Sequence, residues 1–221
     1  MSARIPLFPL GTVLYPGLLL PLHIFEERYR LLVRELVEHR TDDDRFFGVI
    51  AIRAGQEVGA DAVLALHDVG CSADLRGIEA SEDGTFDIVT AGARRFRLLA
   101  VDQSKPWLEG DVEWLDEPAG DAAELLARSV TAQFQRYRIS LLGNRGVSGE
   151  DELPTDPEVL SYLVAATTVL DLADHQALLQ APDTGTRLRL ELQLLRREAA
   201  VLQHLPSLPA VELVRAPISP N

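Results

Sequence analysis

The sequence predicts an α+β fold in two parts, strand-rich over residues 1–117 and helical over 118–205, with an extended or disordered tail at 206–221. Three observations carry this expectation. Prolines at positions 6, 9, 16 and 21 leave room only for short extended segments at the start of the chain. Residues 46–115 then read as a succession of strands, apolar runs broken by Gly-containing turns. Near residues 118–120 the apolar period switches to helical spacing and stays there to about residue 205.

The elements follow in order. Residues 5–10, IPLFPL, form an edge strand or extended segment, because Pro6 and Pro9 cannot donate to a ladder. Tyr15-Pro16-Gly17 is a turn: proline presets φ at one central position and glycine supplies φ > 0 at the next. Residues 18–22 are a short apolar strand, and a single helix follows over residues 24–38. There Phe25, Tyr29, Leu32 and Leu36 share one stripe, with Glu26, Glu27, Arg28, Arg30 and Arg34 around the other faces. Residues 46–52 are apolar on both faces, as a doubly covered strand is. Residues 62–66 read as a further strand or part of a lid. Strands over 69–78 and 86–90 flank Glu82-Asp83-Gly84, a hairpin signal. A strand over 94–101 carries Phe96, Leu98 and Ala100 on one face and Arg95 and Arg97 on the other, and Val112 and Trp114 alternate with acids in the last. In the helical part Leu126, Val130, Phe134, Tyr137 and Leu141 form one stripe, and residues 143–154 form a Gly-rich connector. Asp156, Asp171 and either Asp183 or Thr184 are N-caps. The last helix repeats Leu188, Leu192, Leu195, Ala199 and Leu202, an apolar surface broad enough for packing into a bundle.

Composition narrows the function. For a chain of 221 residues, a formal net charge of −13 argues against a general nucleic-acid or anionic-membrane binder, which would want a basic face. Arg94, Arg95 and Arg97 cluster, but one strand triplet is little to set against that balance. The single cysteine, Cys71, forbids an internal disulfide and fits a reducing compartment. No run reaches the roughly 20 apolar residues that span a bilayer, and no signal peptide is recognisable, so a cytoplasmic location is expected.

The succession PLFPL, YPG and LPLHIFEERYR resembles the start of the Lon-type substrate-binding domain, the amino-terminal domain of Lon proteases that also occurs alone. The fragment VGC…EDGTFDIVTAGARRFRLL resembles a later part of the same family. The resemblance implies a PUA-like β pseudobarrel with one helix, followed by an α-helical bundle. It also implies a role in recognising protein substrates; a separate protease or chaperone is a further candidate partner.

Enzymatic motifs are missing. The one lysine, Lys105, follows Ser104 and precedes Pro106 with no glycine loop before it, so the Walker loop of an ATPase is not encoded here. Neither is the surrounding sequence of the Lon serine-lysine protease centre. His67 and Cys71 on one strand would stand roughly 13 Å apart at about 3.3 Å per residue, far beyond hydrogen-bond reach. His23, at a strand-to-helix junction, reads as a structural hydrogen-bonding residue. Asp42-Asp43-Asp44 lacks the glycine and terminal glutamate of a calcium loop. No catalytic residue, metal ligand or cofactor is therefore assigned. The expectation is a non-catalytic module for exposed hydrophobic segments of unfolded or partly unfolded polypeptide. An RNA- or small-ligand-binding protein and a hydrolase of unrecognised mechanism stand as alternatives. Tyr15, Pro16, Leu18 and Leu19, beside Glu27 and Arg28, are the candidate contact residues: a Pro-Gly turn projects rigid apolar groups at little entropic cost, and the charged neighbours keep such a patch soluble. The competing reading places those leucines in the core.

Overall fold

The computed structural model describes residues 2–54, 65–142 and 153–204, and its architecture is α+β. The strands are β1 (Ser2–Leu10), β2 (Leu19–Ile24), β3 (Phe46–Ala54), β4 (Ala65–Leu66), β5 (Val69–Ala80), β6 (Phe86–Asp102) and β7 (Leu108–Trp114). The helices are α1 (Glu27–His39), α2 (Ala123–Leu142), α3 (Pro157–Thr167), α4 (Leu172–Gln180) and α5 (Thr184–His204). Most of the expected lid at 62–66, the connector at 143–154 and all of the tail at 206–221 lie outside the described residues.

The sheet runs β1-β7-β6-β5-β3-β4, and a parallel pairing of β1 with β3 closes it into a ring. β1 is therefore not the simple edge strand that its prolines suggest. Its first part, from Ser2 to Leu7, pairs antiparallel with β7, and its last part, from Leu7 to Leu10, pairs parallel with β3. Only Leu7 is in register with both neighbours. Pro6 and Pro9 each lie where β1 has a partner on one side alone, so their missing N–H groups break no double ladder.

β6 is one strand where the sequence suggested two. One edge pairs with β5; the other pairs first with β2, from Phe86 to Ala91, and then with β7, from Phe96 onward. Between those partners sits the Tyr15-Pro16-Gly17-Leu18 turn. Gly17 has φ +78° and the Leu18 N–H donates to the Tyr15 carbonyl at 3.2 Å, as the Pro-Gly pair predicts. The Gly17 N–H donates to the Gly92 carbonyl, and the Gly92 N–H to the Leu18 carbonyl, both at 2.8 Å. A Cβ on Gly92 would come within 2.1 Å of the Tyr15 carbonyl oxygen, so glycine alone lets the turn dock there.

α1 starts three residues later than the period suggested. Ile24 still pairs with Phe86 in the ladder, and the Glu26 carbonyl accepts the first helical hydrogen bonds, from the Tyr29 and Arg30 N–H groups. Phe25 thus falls outside the helix, while Tyr29, Leu32, Val33 and Leu36 cover Phe8, Phe47, Val49 and Ile88. β3 is buried on both faces, as its sequence predicts: Phe47 and Val49 join that cluster and Ile50 joins Ile5, Leu7, Phe96 and Val112.

In the helical part the caps form as read. The Asp156 carboxylate accepts from the Glu158 and Val159 N–H groups, Asp171 from Asp174, and Asp183 from Thr186. α2, α3 and α5 pack through Val130, Phe134, Tyr137, Leu160, Val164, Leu188 and Leu195, while Leu141 lies exposed at the far end of its expected stripe. A further cluster joins the helices to the barrel, with Tyr15 and Val69 packed on Tyr162, Ala165, Leu178 and Leu194.

Candidate functional site

β2 is apolar on both faces, and the ladder decides which face is covered. Leu18, Leu20, Leu22 and Ile24 turn inward onto the cluster beneath α1. Leu19, Pro21, His23 and Phe25 turn outward, with Leu19 67% and Phe25 55% exposed. Registered pairing carries this outward face across the sheet in rows: Pro21 beside Val89 beside Gly77, then His23 beside Asp87 beside Glu79. Val89 is 40% exposed, and β2 pairs with β6 alone among the described strands.

Three depressions follow one another around this element. A groove of about 500 Å3 lies over Pro21, Gly77, Ile78, Glu79, Asp87 and Val89. It shares Leu22 and His23 with a second, of about 260 Å3, between the end of β1 (Phe8, Pro9, Leu10) and the β2–α1 junction at Phe25 and Glu26. Glu26 is common to that and a third, of about 460 Å3, lined by Glu27, Arg28, Leu31, Lys105, Pro106 and Trp107. Together they trace a mostly apolar path with charge at its edges.

Those charges are held in place by short contacts. His23 Nδ1 lies 2.8 Å from Asp87, both side chains more than half exposed. Arg28 donates to Glu26 at 3.0 Å and its guanidinium stands 4.5 Å over the Tyr29 ring. Glu27 pairs with Arg30 one turn on. Lys105 Nζ reaches Glu109 at 2.7 Å and lies 5.5 Å over the Trp107 ring.

The six residues singled out from the sequence divide. Leu19 stands on the outward face, and Glu27 and Arg28 line the third groove. Pro16 is half-buried in its turn and Leu18 is half-buried against two core clusters. Tyr15 is 2% exposed; its hydroxyl donates to the His175 carbonyl at 2.9 Å and lies 3.1 Å from His175 Nδ1. Burial drives the Tyr15 phenol far above its ordinary range. Tyr15 is thus a packing residue between barrel and helices, because its turn is drawn down onto Gly92. Sequence reasoning missed Pro21, Phe25, Val89 and Trp107. The signal for Phe25 was available: His23-Ile24-Phe25 continues the alternation of β2 for one more residue before the helix begins.

Arg95, read as lying on a polar strand face, is fully buried instead. It pairs with Glu117 and donates to the Leu179 and Ala181 carbonyls at 2.6 Å, where α4 ends. Glu117 also accepts from Arg187 at 3.1 Å, and Arg187 donates to Ser161 Oγ at 2.9 Å with its guanidinium 3.8 Å over the Tyr162 ring. One carboxylate between two arginines so fastens the barrel to three helices.

Nucleophilic chemistry has no support at Cys71. The thiol is fully buried and burial pushes it well above the ordinary thiol range, which keeps it protonated and inert. Burial and the nearby Arg53 hold the His67 imidazole below its usual value. Among the described residues no group of three or more His, Cys, Asp and Glu side chains is placed to hold a metal ion, and no helix is long and apolar enough to cross a membrane.

A family model described as the ATP-dependent protease La (LON) substrate-binding domain matches residues 4–197. Lon protease 2 of Syntrophobacter fumaroxidans is 28% identical over 197 residues, which cover 85% of this chain and 24% of that protein. The Lon protease of Escherichia coli (strain K12) is 29% identical over 209 residues, covering 90% of this chain and 25% of that one. The chain thus spans 24% to 25% of the length of these relatives. Two solved structures share the fold. A Lon N-terminal domain protein from Xanthomonas campestris superposes with TM-score 0.59 at 24% identity, over 88% of this chain and 98% of that one. The N-terminal domain of the Mycobacterium avium complex Lon protease gives 0.61 at 18% identity, over 92% and 100%.

Proposed function

Because the chain belongs to the LON substrate-binding domain family, with a model match over residues 4–197, we propose that it is a non-catalytic module for exposed hydrophobic segments of polypeptide. In this reading it acts as an adaptor or regulator of proteolysis, presenting unfolded or partly unfolded clients to a separate protease or chaperone. The observation that carries it is the outward face of β2 and β6, where Leu19, Pro21, Phe25 and Val89 stand exposed and the last three line a connected run of grooves. Contiguous exposed apolar surface of this kind is kept by a soluble protein where something binds. Glu27 and Arg28 border the same path, and Leu19 is exposed on the same outward face of β2.

Affinity is expected to be modest. Covering about 400 Å2 of apolar surface returns roughly 10 kcal/mol, and association plus ordering of a flexible chain removes several kcal/mol of that. Dissociation constants in the micromolar range or weaker follow for a single segment. The test is fluorescence anisotropy with a labelled, permanently unfolded client against its native form. Unfolded client alone is expected to bind, uncleaved with or without ATP, and Leu19→Asp and Phe25→Asp are each expected to weaken it about tenfold. Equal binding of native and unfolded client, or binding indifferent to both substitutions, defeats this reading. A steep salt dependence with structured RNA would favour a nucleic-acid ligand instead.

A further inference from the structure

We propose that the groove over β2, β6 and β5 selects apolar segments carrying a lysine or arginine, a preference that deepens the polypeptide-binding reading and rests on it. Two registered rows line the groove, and the Leu19–Ala91 row precedes them on the same face of β2 and β6. In the first of the two, Pro21 lies beside Val89 and Val89 beside Gly77, where a Cβ would meet nothing but Val89 Cβ at 3.9 Å, so the floor is open and apolar. In the second, Asp87 and Glu79 stand directly opposite each other on neighbouring strands, with His23 beside Asp87 on β2. Like charges placed directly across a ladder destabilise a sheet. Here they are kept at the mouth of an apolar groove, on a chain whose net charge is already −13. Asp87 contacts His23 at 2.8 Å; Glu79 has no ion pair among the described residues.

A cation supplied by the bound segment relieves that repulsion and makes the ion pair that Glu79 lacks. The spacing fixes where the cation belongs. Rows Leu19, Pro21 and His23 follow at two-residue steps along β2, roughly 7 Å each. An extended segment laid along the strand over Gly77 presents alternate side chains to the same three rows. Two apolar side chains meet the Leu19 and Pro21–Val89 rows, and the next on that face meets Asp87 and Glu79. The recognised pattern is apolar-x-apolar-x-Lys/Arg, or its reverse for the opposite chain direction. An acidic residue at that place meets two carboxylates and is rejected, which is specificity by repulsion as much as by attraction.

The experiment uses the full chain and three labelled peptides sharing one alternating Leu/Val core, with Lys, Gln or Glu at the next alternate position. Lys is expected to bind about fivefold more tightly than Gln, and Gln more tightly than Glu, the scale of a partly exposed ion pair. The spread is expected to shrink when salt is raised from about 50 mM to about 500 mM. Glu79→Gln combined with Asp87→Asn is expected to bring the three affinities together, with the wild-type salt series as an independent measure should that variant fold poorly. If the three peptides bind the wild type within twofold of one another, the charge preference is overturned and the polypeptide-binding reading stands. If none binds while unfolded client does, the groove is not the site; if neither binds, both readings fall.

Discussion

Glu191 lies on α5, one turn beyond Arg187 and 2% exposed, and neither of its carboxylate oxygens has a hydrogen-bond partner among the described residues. Arg187 does not serve it, since its guanidinium donates to the Leu178 carbonyl, Ser161 and Glu117 instead. Burial therefore holds the Glu191 carboxyl well above the ordinary 4.5, with Arg187 opposing only in part. The folded chain keeps a proton there that the unfolded chain releases, so this residue's contribution to stability falls as pH rises from about 4.5 toward the raised folded value. Glu191→Gln removes the titration. Its melting temperature is expected to exceed that of the wild type at pH 7 and to lose that margin near pH 4.5; parallel curves across the range would contradict this account.

At the scale of the element, the Tyr15–Leu18 turn and the middle of β6 form one device, and its two glycines serve it differently. Gly17 needs φ +78° but has open space around its α-carbon, whereas Gly92 needs the space itself. Gly17→Ala is expected to cost about 1 kcal/mol, the strain of a left-handed residue with a side chain. Gly92→Ala must push the turn off the sheet and is expected to cost about 3 kcal/mol. Denaturant melts of the two variants compare them directly, and equal losses would mean that the turn is not seated on β6 as described. Displacing the turn also moves Leu19, so Gly92→Ala is expected to weaken client binding where Gly17→Ala scarcely does.

For the whole molecule, the joint between barrel and helices is a mixed layer. Tyr15, Gln176 and Arg95 each hydrogen-bond across it: Tyr15 to His175, Gln176 Nε2 to the Val69 carbonyl at 2.9 Å, and Arg95 to the end of α4. Glu117 is the shared ion-pair partner of the two buried arginines on either side. Glu117→Gln leaves both without their counter-ion, a loss expected at about 3 kcal/mol or more. Because the pair bridges two layers, the variant is expected to unfold with separate transitions for strands and helices, read by near- and far-ultraviolet circular dichroism. A single cooperative transition would show that the apolar contacts of Tyr15 with Tyr162 suffice to couple them.

What the sequence determined by itself is what neighbouring residues settle among themselves. The Tyr15-Pro16-Gly17 turn, the Asp156 and Asp171 caps, the doubly buried β3 and the switch from strands to helices all rest on local dihedral preferences, short side-chain-to-backbone bonds and apolar period. The tertiary structure decided the rest where local chemistry offers two equal answers. β2 is apolar on alternate residues of both faces, so only its ladder with β6 leaves Leu19, Pro21 and Phe25 outside and Leu20, Leu22 and Ile24 inside. Tyr15 and Arg95 carry polar atoms that suit solvent as well as core. They are buried because hydrogen-bond acceptors at His175, Leu179, Ala181 and Glu117, from 22 to 160 residues away in sequence, come together only when the helices pack on the barrel.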